Sequence, residues 1–148
     1  MRGITLATYR KVYGRTKTVN DLKRMSDAQW DYIYKTLYWD KWQGDKIMSQ
    51  SLANLLVDWY WMSGIYGIKI PQRALGLVND GIVGPKTLSA LNNGDEKDLF
   101  NLLWKERRDY FNRIGVGKNA IFLKGWMRRL NGIQFRFLTM NNKSIITF

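Results

Sequence analysis

The sequence predicts an all-α protein, on three observations. Apolar residues recur at helical spacing through most of the chain; Thr5, Ser26, Ser49 and Asp95 stand where these stripes begin; and Gly14, Gly44, Gly64 and Gly115 stand where they end. Thr5 caps a short helix that runs through Tyr13 and stops at Gly14. Ser26, with Gln29 three residues on, makes a capping box. From there Trp30, Ile33, Tyr34, Leu37 and Tyr38 keep one helical face, and the pattern ends near Gly44. Ser49 starts the next helix, whose Leu52, Leu55, Leu56 and Trp59 share a face before Gly64. Residues 65–75 read as helix too, with a bend or restart where Pro71 removes an amide donor. Asn79-Asp80-Gly81 is a turn signal, and Gly84-Pro85 opens a helix with proline at its first position, running to about Asn92. Asp95 caps a long helix to Ile114. The last helix begins near Asn119; Trp126, Leu130, Ile133, Phe137 and Met140 keep its period, so it is expected to reach about Met140, with a hairpin over 133–148 around Asn141-Asn142 as the alternative.

Composition narrows the chemistry. The 148 residues include no histidine and no cysteine, which removes thiolate nucleophiles, Ser-His-Asp and Cys-His relays, Cys/His zinc sites and disulfides. No cofactor or metal is expected. Catalysis, if any, falls to carboxylates, hydroxyls or lysine, and the acids are ten Asp with only Glu96 and Glu106. Apolar residues make up 45% of the chain, enough for a packed core. Twenty-four Lys and Arg against 12 Asp and Glu give a net charge of +12, which favours a polyanionic partner: nucleic acid, anionic lipid, or a bacterial wall carrying acidic polymers. The excess is shared between the halves on either side of Pro71 but concentrates late, with nine basic and two acidic residues over 105–136. No apolar run approaches the ~18 residues of a membrane span, and Met1 to Thr5 shows no signal-peptide pattern.

The most specific stretch is residues 72–91, from Gln72-Arg73-Ala74-Leu75 through Asn79-Asp80-Gly81 and Gly84-Pro85-Lys86-Thr87 to Ala90-Leu91. The Asp80 carboxylate is suited to turn amides, Gly81 permits a positive φ, and Pro85 starts a helix presenting Leu88 and Leu91 inward. The stretch resembles the peptidoglycan-binding modules of bacterial and phage wall hydrolases. Around it, Gly3-Ile4-Thr5 with Tyr9, Tyr38-Trp39-Asp40, Val57-Asp58 before Ser63-Gly64, and Phe122-Leu123-x-Gly125-Trp126-x-x-Arg129 fall in the order seen in glycoside hydrolase family 108. That family comprises predicted N-acetylmuramidases, some named secretion activator proteins. The resemblance implies a lysozyme-like helical fold, with residues 1–70 as a glycoside hydrolase lobe and residues 71–148 as a peptidoglycan-binding lobe. It implies a bacterial or prophage protein acting at the cell wall or periplasm, bound to peptidoglycan glycan strands, and related to enzymes that cut the β-1,4 bond. The family's general-acid Glu lies upstream of its Gly-Ile-Thr motif, and no counterpart stands before Gly3. The chain is therefore expected to be N-terminally truncated relative to the family, with its catalytic residue unknown and hydrolysis weak or absent.

Within the chain, Glu106 projects onto or beside the apolar stripe of Leu102, Leu103 and Tyr110, and an ion-paired place at the core edge is the favoured reading over a proton donor of raised pKa. Glu96 and Asp98 occupy a helix's first turn, where carboxylates suit the dipole. Tyr38, Trp39 and Trp42 cluster beside Asp40 and Asp45 as a saccharide cleft requires, although Trp at helical spacing usually builds core, as is expected of Trp59, Trp104 and Trp126. Tyr38, Trp39, Asp58 and Gln72 are the substrate-binding candidates, Asp58 having a buried-acceptor reading beside the cleft one. The alternative function is a basic nucleic-acid-binding helical protein using 105–136 with Trp104, Tyr110, Phe122 and Trp126 interleaved; no nucleic-acid motif accompanies that charge.

Overall fold

The computed structural model describes residues 2–136, and every regular element among them is helical. Thr5 Oγ1 accepts the Thr8 amide at 3.1 Å and starts α1 (Leu6–Tyr13), which Gly14 ends. A short α2 (Val19–Lys23), absent from the sequence reading, has its own capping box: Asp21 donates its amide to Thr18 Oγ1 while its carboxylate accepts the Thr18 amide at 2.8 Å. α3 (Asp27–Tyr34) begins on the expected box, with Ser26 and Gln29 exchanging two 3.1 Å bonds.

The helix expected to continue to Gly44 instead changes form. It passes through a π turn over Lys35–Trp39 and a 3-10 turn over Asp40–Trp42, reverses at Gln43 (φ 50°), and makes a second 3-10 turn over Gly44–Lys46. Residues five apart in a regular α-helix point about 140° apart. The wider π turn removes most of that rotation, so Tyr34 and Trp39 bury on the same side, with Trp42 behind them. Gly44 gives the indole its room, since a Cβ there would lie 2.3 Å from Trp39 Cε2.

α4 (Gln50–Ser63) is the central helix. Ser49 caps it, and Leu52, Leu55, Leu56, Val57, Asp58 and Trp59 have no exposed surface. α5 (Tyr66–Ala74) runs through Pro71 without the expected restart; five helical residues precede the proline, which deletes one bond, that to the Gly67 carbonyl. After it comes the Asp80-Gly81 turn, with Gly81 at φ 77°. α6 (Pro85–Asn93) has proline at its first position, and α7 (Glu96–Ile114) is capped by Asp95, as the sequence predicts. A 3-10 turn (Gly117–Asn119) leads into α8 (Ala120–Asn131).

α8 stops at Asn131 rather than near Met140. Residues 133–136 leave the helix and lie against α4, where Ser51 Oγ donates to the Arg136 carbonyl and accepts the Arg136 amide, both at 3.0 Å. Ile133, which looks like continued helical period, makes its core contacts from this non-helical segment, as does Phe135, packing on Phe100 with centroids 5.5 Å apart. Met140 and the Asn141-Asn142 hairpin alternative fall outside the described residues. One core runs through the π turn, α4, α7 and the end of α8, and a smaller one joins Ile4, Tyr9, Leu22, Met25 and Ile33.

Candidate functional site

Asp58 lies at the centre of the molecule and is wholly buried. Its Oδ2 accepts Arg107 Nη2 at 2.6 Å, and its Oδ1 accepts Arg129 Nε at 2.8 Å and Nη2 at 2.5 Å. Arg107 is itself fully buried; it also donates to the Leu55 carbonyl at 3.1 Å and packs over the Phe111 ring. A guanidinium on each oxygen gives the buried carboxylate the partners without which its charge would be strongly disfavoured in the interior. Burial lowers the Arg107 pKa, although Asp58 opposes this; for Arg129, burial is outweighed by the Asp58 hydrogen bonds and its pKa rises. Beside them, burial and then the Asp58 charge hold the Tyr34 phenol well above its usual range. The sequence singled out Asp58 but neither arginine as its partner. Arg107 was legible: it stands four residues from both Leu103 and Phe111 on the buried stripe of α7, and a charge there requires a partner. Glu106, the residue weighed for that stripe, is only half-buried.

An aromatic shelf flanks this centre. Trp30 stacks on Tyr34 (5.0 Å, 17°), Trp61 packs against Trp30, Tyr34 and Tyr38, and Tyr38 meets Tyr60 at 5.4 Å. Trp30 Nε1 donates to the Arg2 carbonyl at 2.9 Å, which holds the Gly3-Ile4-Thr5 segment at the edge of the shelf. Tyr38 and Tyr60 are partly exposed. Burial, with Tyr60 adding to it for Tyr38, raises both phenol pKa values, so each keeps a neutral hydroxyl at physiological pH.

Through Tyr60 the shelf borders the larger of two adjoining hollows, of about 280 and 230 Å³, that share Asp40 and Gln43. The larger is walled by Tyr60, Ile65 and Ile68 on one side and by Gly81, Ile82 and Val83 on the other; the smaller adds Asp45 and Lys46. Two residues set the walls without facing the hollow. Trp39, buried, donates its indole N–H to Asp45 Oδ1 at 2.9 Å and fixes that carboxylate at the rim. Gln72, also buried, donates to the Ile82 carbonyl at 2.9 Å and to Thr87 Oγ1 at 3.3 Å, while its Oε1 accepts the Gly81 amide at 2.9 Å. Gln43 reaches across and donates to the Val83 carbonyl, joining the two walls. Asp40 is paired with Lys35 at 3.0 Å.

Of the four sequence-selected residues, Tyr38 thus lies on the shelf, Trp39 and Gln72 lie beneath the walls, and Asp58 lies in the interior. Tyr60 and Gln43 were not selected. Gln43 carried no signal beyond its place before Gly44; its backbone is the only non-glycine left-handed one after Arg2 among the described residues. A further hollow of about 390 Å³, lined by Leu77, Val78, Ile82 and Pro85, is apolar and offers one acid, Asp80, already accepting the Ile82 amide at 2.9 Å. Among the described residues no three His, Cys, Asp or Glu side chains gather where they could hold a metal, and no helix is long and apolar enough to cross a membrane.

Comparison with known proteins divides the chain at the α4–α5 junction. Residues 1–64 match the family model described as "Glycosyl hydrolase 108", and residues 66–131 match that described as "Predicted Peptidoglycan domain". Among solved structures, the chain is similar to SagA of Brucella abortus: 30% identical, with a TM-score of 0.77, over 88% of this chain and 74% of that one. No curated protein sequence matches. Nothing in these likenesses favours the nucleic-acid alternative.

Proposed function

Because this chain belongs to the glycosyl hydrolase 108 family, with a peptidoglycan domain following the hydrolase segment, and is a muramidase-related protein of the bacterial cell wall, we propose that it holds peptidoglycan glycan strands in the groove beside Tyr38 and Tyr60. The observation that carries the reading is that the aromatic shelf reaches, through Tyr60, a groove with Asp40, Gln43 and Asp45 at its rim. Sugar rings offer apolar faces that stack on aromatic rings, and equatorial hydroxyls that bond carboxylates and amides at the ring edge. Tyr38 and Tyr60 supply the faces; Asp40, Gln43 and Asp45 supply the edge. Trp39 and Gln72 act through others, one by aiming Asp45 and the other by shaping the 80–83 wall. Asp58 acts at a further remove, tying the helix of the first lobe (residues 1–70) to two helices of the second (residues 71–148). The site of action is the wall or the periplasm.

Binding and cutting separate in this reading. Glycosidic cleavage needs an acid whose surroundings keep it protonated at the leaving oxygen, and a second group for the developing positive charge. The groove acids are exposed and already partnered, Asp40 by Lys35 and Asp45 by Trp39. Asp58 is reached by two arginines and by no solvent. None of these residues is built as a proton donor, so the 148-residue chain is expected to bind strands and release few or no reducing ends. Pelleting with purified peptidoglycan, followed by a reducing-end assay on the same suspension, tests both halves. Tyr60→Ala is expected to weaken binding about three- to tenfold, the worth of one aromatic contact. Failure of the unaltered chain to pellet at low salt would overturn the binding half, and clearing of the suspension would overturn the other.

A further inference from the structure

The turn between α7 and α8 exposes more apolar surface than a solvated tip needs. Ile121 is 80% exposed, Val116 63% and Phe122 51%, the last stacked on Trp126 with centroids 6.0 Å apart. Scattered exposed apolar residues are ordinary; three within seven positions at one tip are not. The charge around them has one sign. From Tyr110 to Arg136 the chain has no Asp or Glu, and Arg113, Lys118, Lys124 and Arg128 are the cations nearest the tip, Arg129 being bonded to Asp58 and Arg136 lying past the far end of α8. On α8, Ile121, Lys124 and Arg128 follow at the three- and seven-residue spacing of a single helical stripe. No residue of this tip lines the groove of the glycan reading.

We propose that this tip docks on the surface of an anionic phospholipid bilayer, with Ile121, Phe122 and Val116 entering the headgroup boundary and the flanking lysines and arginines meeting lipid phosphates. The pairing of features selects this occupant. A hydrated polyanion, whether wall polymer or nucleic acid, satisfies Lys118, Lys124 and Arg128 but offers no apolar phase for a nearly bare isoleucine. An anionic bilayer offers both, and an apolar edge flanked by Lys and Arg is the pattern of a surface-lying helix. Phe122 and its partner Trp126 add the aromatic surface such helices place at the boundary. The chain itself leaves α8 at the other end: Phe135 packs on Phe100, and α7 carries Phe100 about 20 Å from Ile114 at 1.5 Å per residue. This proposal is independent of glycan binding.

The test is co-sedimentation of the 148-residue chain with vesicles of phosphatidylcholine alone or mixed with phosphatidylglycerol, across a salt series. Binding is expected to the mixed vesicles and to weaken with salt. Ile121→Ser, which touches a side chain that is almost wholly in solvent, is expected to lower partitioning roughly tenfold while leaving the melting temperature and pelleting with peptidoglycan unchanged. Lys124→Glu is expected to lower it as well, most at low salt. No binding to the mixed vesicles would overturn the proposal. So would an Ile121→Ser variant that binds as the unaltered chain does, since charge alone would then be the attraction and a hydrated polyanion its partner.

Discussion

A single carboxylate joins three helices. Asp58 takes three hydrogen bonds from two arginines, one of which has no exposed surface. Asp58→Ala leaves the Arg107 guanidinium in the interior without its counter-charge, and breaking a buried pair from one side typically destabilises by about 3–5 kcal/mol. Urea unfolding measures this, and a loss under about 1 kcal/mol would show that water or another group compensates Arg107. The double variant Asp58→Leu/Arg107→Met is expected to lose less than the sum of the two single changes, because an apolar pair removes the charges together. At this scale the sequence says which residues are unusual more readily than whom they meet. Asp58 on an apolar face of α4 and Arg107 on that of α7 each break a stripe, yet 49 positions separate them, and only the packing of α4 on α7 brings them together. Trp39 shows the same limit from the other side. Its neighbours Asp40 and Asp45 suggest a sugar cleft, and the π turn that rotates it inward is set by core packing that no local pattern announces.

Helix starts are legible where the signal is local. Thr5, Ser26, Ser49 and Asp95 each accept an amide three residues on, so side-chain chemistry and backbone need agree within one turn. The Thr18 box at α2 was equally local but has Asp rather than Glu or Gln at its third position. The end of α8 was not legible, because Ile133 continues the helical spacing although its burial comes from a different conformation. The α4–α5 pair carries a prediction of its own. A Cβ on Gly67 would lie 2.5 Å from the Tyr60 nitrogen and 2.6 Å from the Trp59 carbonyl carbon, backbone atoms that cannot swing aside. Gly67→Ala is therefore expected to destabilise by about 1–3 kcal/mol, as overpacking does, despite alanine's better helix propensity. A thermal melt decides: a melting temperature at or above that of the unaltered chain would mean the two helices slide apart freely. Because α5 carries Gln72, which shapes the 80–83 wall, the same variant is expected to bind peptidoglycan more weakly at temperatures where it remains folded.

The molecule as a whole does not break where its family matches do. Those matches end at residue 64 and resume at residue 66, and the family resemblance of the sequence implies lobes at 1–70 and 71–148. The packing crosses that line repeatedly. The main core runs from Tyr34, Trp39 and Trp42 through α4 to Phe100, Leu103 and Phe111 of α7 and Leu130 of α8. Ser49 donates to Glu96 Oε1 at 2.6 Å, Asn92 to the Lys46 carbonyl at 2.8 Å, and Ser51 exchanges bonds with Arg136. The two arginines on Asp58 come from beyond that line and the acid from before it. Interactions of that kind make partial unfolding costly, since releasing either lobe strips the other of core contacts and leaves a buried charge unpaired. Calorimetry is therefore expected to show one transition, with equal calorimetric and van't Hoff enthalpies, and Asp58→Ala is expected to shift that single transition downward rather than split it. Two resolved transitions in the unaltered chain would mean that the lobes are independent and that the arginine pair is a surface between domains. In that case the groove, whose walls come from residues 40–46 and 81–83 on opposite sides of the line, would open when the lobes part; with one transition, it is as permanent as the core behind it.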